Sequence, residues 1–204
     1  MSAARPIVFD LGGVVVDWQP EALIATIAHD EPTRTRVRRE IFDHLDWLEL
    51  DRGTLAPPEA IRRFATRADL EESHVAAMLD RVAPSLVPKQ DTLGLIRELR
   101  AAGHPLYFLS NMAATSIAYL EEKHDFWPLF DGGIVSCRVG LLKPEAAMFE
   151  RLLTQYALEA EDTIFIDDLQ ANIDAALALG MSAIRFTGAH ECGRALRALP
   201  GVFF

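Results

Sequence analysis

An α/β fold, in which a parallel sheet carries an inserted helical lobe, is predicted by three features of this 204-residue sequence. Three short apolar runs each stop at polar residues. Helical periodicity fills the stretches between the later runs. Residues 17–87, which follow the first run, carry helical periodicity and no convincing strand.

The first run, residues 6–10, reads Pro-Ile-Val-Phe-Asp and passes into Leu-Gly-Gly. A short, continuously apolar segment ending at an acid and a glycine turn suits a buried parallel strand. Residues 106–109 (Leu-Tyr-Phe-Leu, then Ser-Asn) and 163–166 (Thr-Ile-Phe-Ile, then Asp-Asp) have the same form, and residues 133–136 and 182–186 are weaker strand candidates. Residues 89–102 place Leu93, Ile96 and Leu99 on one helical face and stop at Gly103. Further helices are expected over 113–123, over 144–157 with Pro144 in its first turn, and over 171–179 before Gly180. Alternating strand and helix implies parallel pairing with crossover helices.

Residues 20–29, 33–45, 57–68 and 71–82 read as amphipathic helices. An inserted lobe explains four helices in succession better than one long crossover does, with Pro84 and Pro88 as its exit hinge. The expected division is a core domain of residues 1–16 and 88–204 and a helical cap domain of residues 17–87. The basic residues Arg34, Arg36, Arg38 and Arg39 are read as a solvated helix face in preference to an attractor of a substrate anion. Trp47, Asp51 and Arg52 are the lobe residues that could face the site; the plainer readings are Trp47 as a core residue and Asp51-Arg52-Gly53 as a turn. The apolar end, Val202-Phe203-Phe204, suits packing on the core or a partner.

With 20 basic and 30 acidic residues the net charge is −10, which argues against a general nucleic-acid binder, since that needs a basic footprint. Cys137 and Cys192 are far apart and are expected as unpaired thiols, which fits a reducing cytoplasm. The six histidines form no zinc-type spacing. No signal peptide or membrane span is expected.

In an open parallel sheet, ligands collect beyond the carboxyl ends of the strands. Four groups are expected there: Asp10, Ser110 with Asn111, Lys143, and Asp167 with Asp168. A carboxylate can attack phosphorus and split one displacement into two. Phosphate repels it unless the site supplies positive charge, which clustered acids holding magnesium and a lysine would provide. Ser110 and Asn111 can donate to phosphoryl oxygens. A serine nucleophile at Ser110 is rejected, because the surrounding Phe-Leu-Ser-Asn-Met lacks the required elbow.

The order Asp10, Ser110-Asn111, Lys143-Pro144-Glu145, Asp167-Asp168 resembles the four motifs of the haloacid dehalogenase superfamily, and the helical segment after the first motif resembles its usual cap. The resemblance implies a Rossmann-like core and a magnesium-dependent hydrolase acting on a small phosphorylated substrate. It implies Asp10 as nucleophile and metal ligand, the Gly12 carbonyl and Asp168 as further metal ligands with Asp167 in support, and Ser110 and Lys143 holding the phosphoryl group. Gly12 and Asn111 would lie against the substrate.

Most phosphatases of this family carry a second Asp two residues after the nucleophile, as general acid and base. Here that residue is Gly12. Protonation of the leaving group must come from elsewhere, for which Asp17, a cap residue or water are the candidates. The Leu-Gly-Gly-Val-Val-Val-Asp segment is similar to a subgroup that includes a bacterial glucose-1-phosphate phosphatase, which points to sugar phosphates. Dehalogenation of 2-haloacids is the nearest rival and needs no metal, so the Asp167-Asp168 pair weighs against it. A signalling receiver module would have its motifs in another order, and a catalytically dead binding protein has only Gly12 in its favour.

Overall fold

The computed structural model describes residues 4–204, so the first three positions of the core predicted over 1–16 lie outside the described residues. Five parallel strands, β1 (Ile7–Phe9), β2 (Leu106–Ser110), β3 (Gly132–Val135), β4 (Ile164–Asp167) and β5 (Ser182–Arg185), form one sheet in the order β3-β2-β1-β4-β5. The register pairs Phe9 with both Phe108 and Ile166. β1, β2 and β4 are buried throughout, as strands covered on both faces must be. The chain runs outward from β1 to β3 and then returns to the other side at β4, so the crevice where the direction reverses lies between β1 and β4. Asp10 follows one of those strands and Asp167 ends the other.

Six α-helices follow β1 before the chain returns to the sheet side: α1 (Pro20–Ile24), α2 (Glu31–Val37), α3 (Leu45–Arg52), α4 (Pro57–Ala68), α5 (Glu72–Leu79) and α6 (Val82–Ser85). They share a hydrophobic cluster of their own, with Phe64, Ile41, Val75 and Met78 fully buried. The helix expected over 33–45 is instead α2 followed by one π-helical turn, Arg38–Phe42, and a break at Asp43. α3 was not expected. It carries Asp51 and Arg52, which were read as part of a turn, and it ends where Gly53 adopts the left-handed conformation (φ 83°) that closes a helix. The helix expected over 71–82 divides into α5 and α6, and Pro84 lies within α6 rather than in a hinge.

Pro88 does mark the exit. Entry and exit strands run side by side there: Val16 and Pro88 form an antiparallel bridge, Asp17 N–H donates to Val87 O (2.8 Å) and Lys89 N–H to Val15 O (2.9 Å).

After the lobe come α7 (Gln90–Ala101), α8 (Ala114–Lys123), α9 (Ser136–Val139), α10 (Ala146–Tyr156), α11 (Gln170–Ala178) and α12 (Ala189–Arg197). α9 begins at Ser136, where a strand end was expected, and α10 starts two residues beyond Pro144. Val202 and Phe204 pack on the sheet's hydrophobic cluster. Both cysteines are unpaired, Cys192 buried and Cys137 half-buried. Among the described residues no helix is long and apolar enough to cross a membrane.

Candidate active site

Lys143 is the centre of the site. Its ammonium is buried between two carboxylates, 2.8 Å from Asp10 Oδ1 and 2.7 Å from Asp167 Oδ2. Burial alone would lower its pKa, but the charges of Asp10 and Asp167 outweigh burial and raise it, so Lys143 is a fixed cation. Asn111 holds the loop that carries it: Lys143 N–H donates to Asn111 Oδ1 (2.8 Å) and Asn111 Nδ2 donates to Lys143 O (2.9 Å). Both ends of the Asn111 amide are thus engaged, and its part in this structure is to position Lys143.

Asp10 stands just beyond β1, where its Oδ1 also accepts from Leu11 N–H (2.7 Å). Its Oδ2 has no protein partner among the described residues. Burial raises the Asp10 carboxyl to about 7, Lys143 opposes that shift, and Asp167 and Asp168 add to it. Asp167 is fully buried and saturated: Lys143, the Leu169 N–H (2.8 Å) and Asn172 Nδ2 (3.0 Å to each oxygen) all donate to it. Asp168, half-buried, is raised by burial and by neighbouring Asp167. One carboxylate oxygen from each of Asp10, Asp167 and Asp168 lies within 4.8 Å of the others.

The two glycines after Asp10 differ. Gly13 (φ 75°) faces Asp168 so closely that a Cβ there would collide with the carboxylate. Gly12 has open space where a side chain would be, with nothing within 4 Å of a Cβ. Ser110 ends β2, fully buried, and its Oγ has no hydrogen-bond partner among the described residues. Leaving such a group unpaired costs about 1–3 kcal/mol, which is tolerable where a ligand completes it.

A chamber of about 520 Å³ opens above this cluster. Asp10, Gly12, Asn111, Lys143 and Asp168 line it; Ser110 and Asp167 do not reach its wall. The lobe contributes a mainly apolar roof, including Trp18, Phe42, Trp47, Ile61, Leu79 and Val82. Trp18, Phe42 and Trp47 contact one another with ring centroids 4.6–6.1 Å apart. Trp47 is therefore both a buried lobe residue and chamber wall. Arg38, expected on a solvated face, also lines the chamber and pairs with Glu21 and Asp43 at 3.0 Å.

Residues 51–53 dock the lobe onto the sheet side. Ser136 Oγ donates to Asp51 O (2.6 Å) and accepts from Met112 N–H (2.9 Å). Arg52 forms a two-pronged ion pair with Glu145 (2.5 and 3.1 Å) and donates to Gly140 O (3.1 Å). Arg52 was among the lobe residues named from the sequence as able to face the site, whereas Ser136, Asn172 and Lys89, whose Nζ donates to Gly13 O (3.0 Å), were not singled out there as site residues. Of these only Asn172 had a signal there, since it falls in the first turn of the helix that follows the acidic pair.

Residues 5–180 match the model of the family described as haloacid dehalogenase-like hydrolase. The sesquiterpene phosphatase astK of Aspergillus oryzae is 31% identical over 197 residues, 97% of each chain. The drimenol cyclase drtB of Aspergillus calidoustus is 30% identical over 98% of this chain, which spans only 36% of that protein. Among solved structures, the enzyme bt-2542 of Bacteroides thetaiotaomicron, in complex with magnesium and inorganic phosphate, superposes with a TM-score of 0.69 at 21% identity, covering 90% of this chain and 94% of that one. The L-2-haloacid dehalogenase of Xanthobacter autotrophicus superposes with a TM-score of 0.67 at 18% identity, over 98% and 85%. At such identities the two structures establish the shared fold and leave the chemistry to the residues. The family match and the relative that runs the full length of this chain agree: the chain belongs to the haloacid dehalogenase-like hydrolases.

Proposed function

We propose that this hydrolase is a magnesium-dependent phosphatase that passes the phosphoryl group of a small phosphomonoester to Asp10 and then to water. Residues 1–16 and 88–204 would form its core and residues 17–87 an inserted cap. The observation that carries the reading is the Asp10, Asp167 and Asp168 cluster, because carboxylates crowded this closely call for a cation that dehalogenation does not need. The donor set fits magnesium, being hard oxygens throughout. Asp167 is already saturated, which leaves Asp10, Asp168 and the Gly12 carbonyl as ligands. When bound, magnesium supplies the charge that lets an anionic carboxylate approach an anionic phosphoryl group.

The chain's own residues perform the rest. Leu11 N–H and Lys143 hold Asp10 Oδ1, so Oδ2 is the attacking atom. Lys143 and the unpartnered Ser110 hydroxyl bind phosphoryl oxygens, and Asn111 keeps Lys143 in place. Attack forms an aspartyl phosphate on Asp10 as the ester bond breaks, and water then releases phosphate. The lobe excludes bulk water during transfer.

The apolar roof favours the phosphomonoester of an apolar alcohol, consistent with a sesquiterpene phosphatase among the relatives. A sugar phosphate, the expectation from the first motif, has Arg38, Asp43 and Asp80 in its favour, since these polar groups also line the chamber. Phosphate release from farnesyl phosphate and glucose 1-phosphate, and chloride release from 2-chloropropionate, each with magnesium and with chelator, decide among them. Magnesium-dependent release, fastest from farnesyl phosphate, is expected. Chloride release without phosphate release would overturn the phosphatase reading.

A further inference from the structure

The leaving alcohol needs a proton, and the residue at the usual place for a donor is Gly12. Five carboxyls line the chamber: those of Asp10, Asp43, Asp51, Asp80 and Asp168. Asp10 and Asp168 belong to the cation cluster. Asp43 and Asp80 are exposed, and Asp43 is paired with Arg38. Asp17, a candidate from the sequence, does not line the chamber. Asp51 remains.

We propose that Asp51, carried on the helical lobe, is the general acid and base of this phosphatase in place of a residue at position 12. The inference rests on the phosphatase reading. Its geometric basis is that Asp51 lines the same chamber as Asp10 and is fixed where lobe meets sheet. Ser136 holds its backbone carbonyl, and Arg52 anchors the next residue to Glu145. Gly53 then turns the chain against Cys137. The empty volume beside Gly12 leaves room for a group reaching down from above.

The surroundings suit a proton donor. Asp51 is half-buried, enclosed by protein yet open where it lines the chamber. Burial raises its carboxyl to about 7, and contacts from Ala113 N–H and Trp47 offset this only in part. Among the described residues no cation is paired with it: Arg52 is turned to Glu49 and Glu145, and Arg138 pairs with Glu121. Cys137 on α9, whose own thiol is raised chiefly by burial, is the nearby titratable group on the sheet side. Lys143, Asp10 and Asp168 line the chamber with it. A carboxyl that is partly protonated near neutral pH can both give and take a proton.

In the first step the Asp10 Oδ2–phosphorus bond forms and the phosphorus–ester oxygen bond breaks. The Asp51 proton passes to the leaving oxygen, giving neutral alcohol and an Asp51 carboxylate. In the second, water attacks phosphorus, the Asp10–phosphorus bond breaks and a water proton returns to Asp51. Atoms and charge then balance over the cycle.

The test compares octyl phosphate, whose alkoxide leaves poorly, with p-nitrophenyl phosphate, whose phenolate needs no proton. Asp51→Asn should lower kcat/KM for octyl phosphate by about 10²-fold or more while kcat/KM for p-nitrophenyl phosphate changes little, because kcat/KM reports only the steps through aspartyl-phosphate formation; kcat falls on both esters, since hydrolysis of the shared intermediate loses its base. Equal loss of kcat/KM on both esters, or loss on neither, would overturn the proposal and leave the phosphatase intact. A second measurement needs no variant. In the unmodified enzyme, the octyl to p-nitrophenyl rate ratio should fall between about pH 6 and pH 9 as the acid deprotonates. A constant ratio would also overturn it. If the unmodified enzyme with magnesium hydrolyses neither ester, it is the phosphatase reading itself that fails.

Discussion

The floor and the roof of the chamber are built on opposite principles. On the floor Lys143, Asp10 and Asp167 are buried and each is held by more than one partner: Asp167 alone accepts from Lys143, Leu169 and Asn172, and Asn111 clamps the Lys143 backbone from both sides. On the roof Trp18, Phe42, Trp47 and Ile61 offer surface rather than direction. Fixed polar groups select the transition state of one reaction, because preorganised charges cost nothing to reorient when it forms. Apolar walls select by area and volume, which discriminates weakly and tolerates variation.

Three experiments would break or sharpen that contrast. The largest effect is expected from Asp10→Asn, which should reduce turnover by about 10⁴-fold or more while circular dichroism reports an unchanged fold. Appreciable activity would show that the floor is not organised around this carboxylate.

Next comes Lys143→Met, which strands Asp10 and Asp167 without their cation. Urea denaturation should show a loss of about 3–5 kcal/mol near neutral pH. The sign with pH follows from the shifts. Lys143 is raised in the folded state, so its contribution is fully present below the ordinary lysine value and is lost only as pH rises through the higher, folded one. Asp10 is raised from the ordinary 3.8 to about 7, so its burial as an anion costs stability as pH climbs between those two values and adds no further loss above them. The deficit of the Met variant should therefore shrink on acidification. A deficit independent of pH would mean that packing, not charge, explains it.

The smallest effect is expected from Ile61→Ser on the roof. It should raise KM for farnesyl phosphate by up to about tenfold, the worth of about one buried branched side chain, with kcat nearly unchanged. A large fall in kcat instead would erase the distinction between the two surfaces.

The same contrast explains what the sequence disclosed. Asp10, Lys143, Asp167 and Asp168 were legible because transfer chemistry fixes residue type at strand ends, and the apolar strands leading to them were legible by composition. The roof was not. Leu45, Trp47, Leu48 and Leu50 blur helical periodicity, so α3 was missed and its last residues, with Gly53, were read as a turn. The π turn at Arg38–Phe42 breaks the expected helix and brings Arg38 into the chamber, a shift no spacing rule announces. The contacts of Ser136 and Arg52 join positions 85 and 93 residues apart. Such pairings depend on how the lobe sits, not on local sequence.

The Ser136 hydroxyl has a mechanical meaning. One oxygen ties the lobe, through Asp51 O, to Met112, the next residue after Asn111, and Asn111 in turn grips Lys143. If the proposed phosphatase frees an apolar alcohol by swinging the lobe away, that movement would break the node, and the same node steadies the loop beneath Lys143. Product exit and relaxation of the phosphate grip would then be a single movement, a gate and a clasp on one pin.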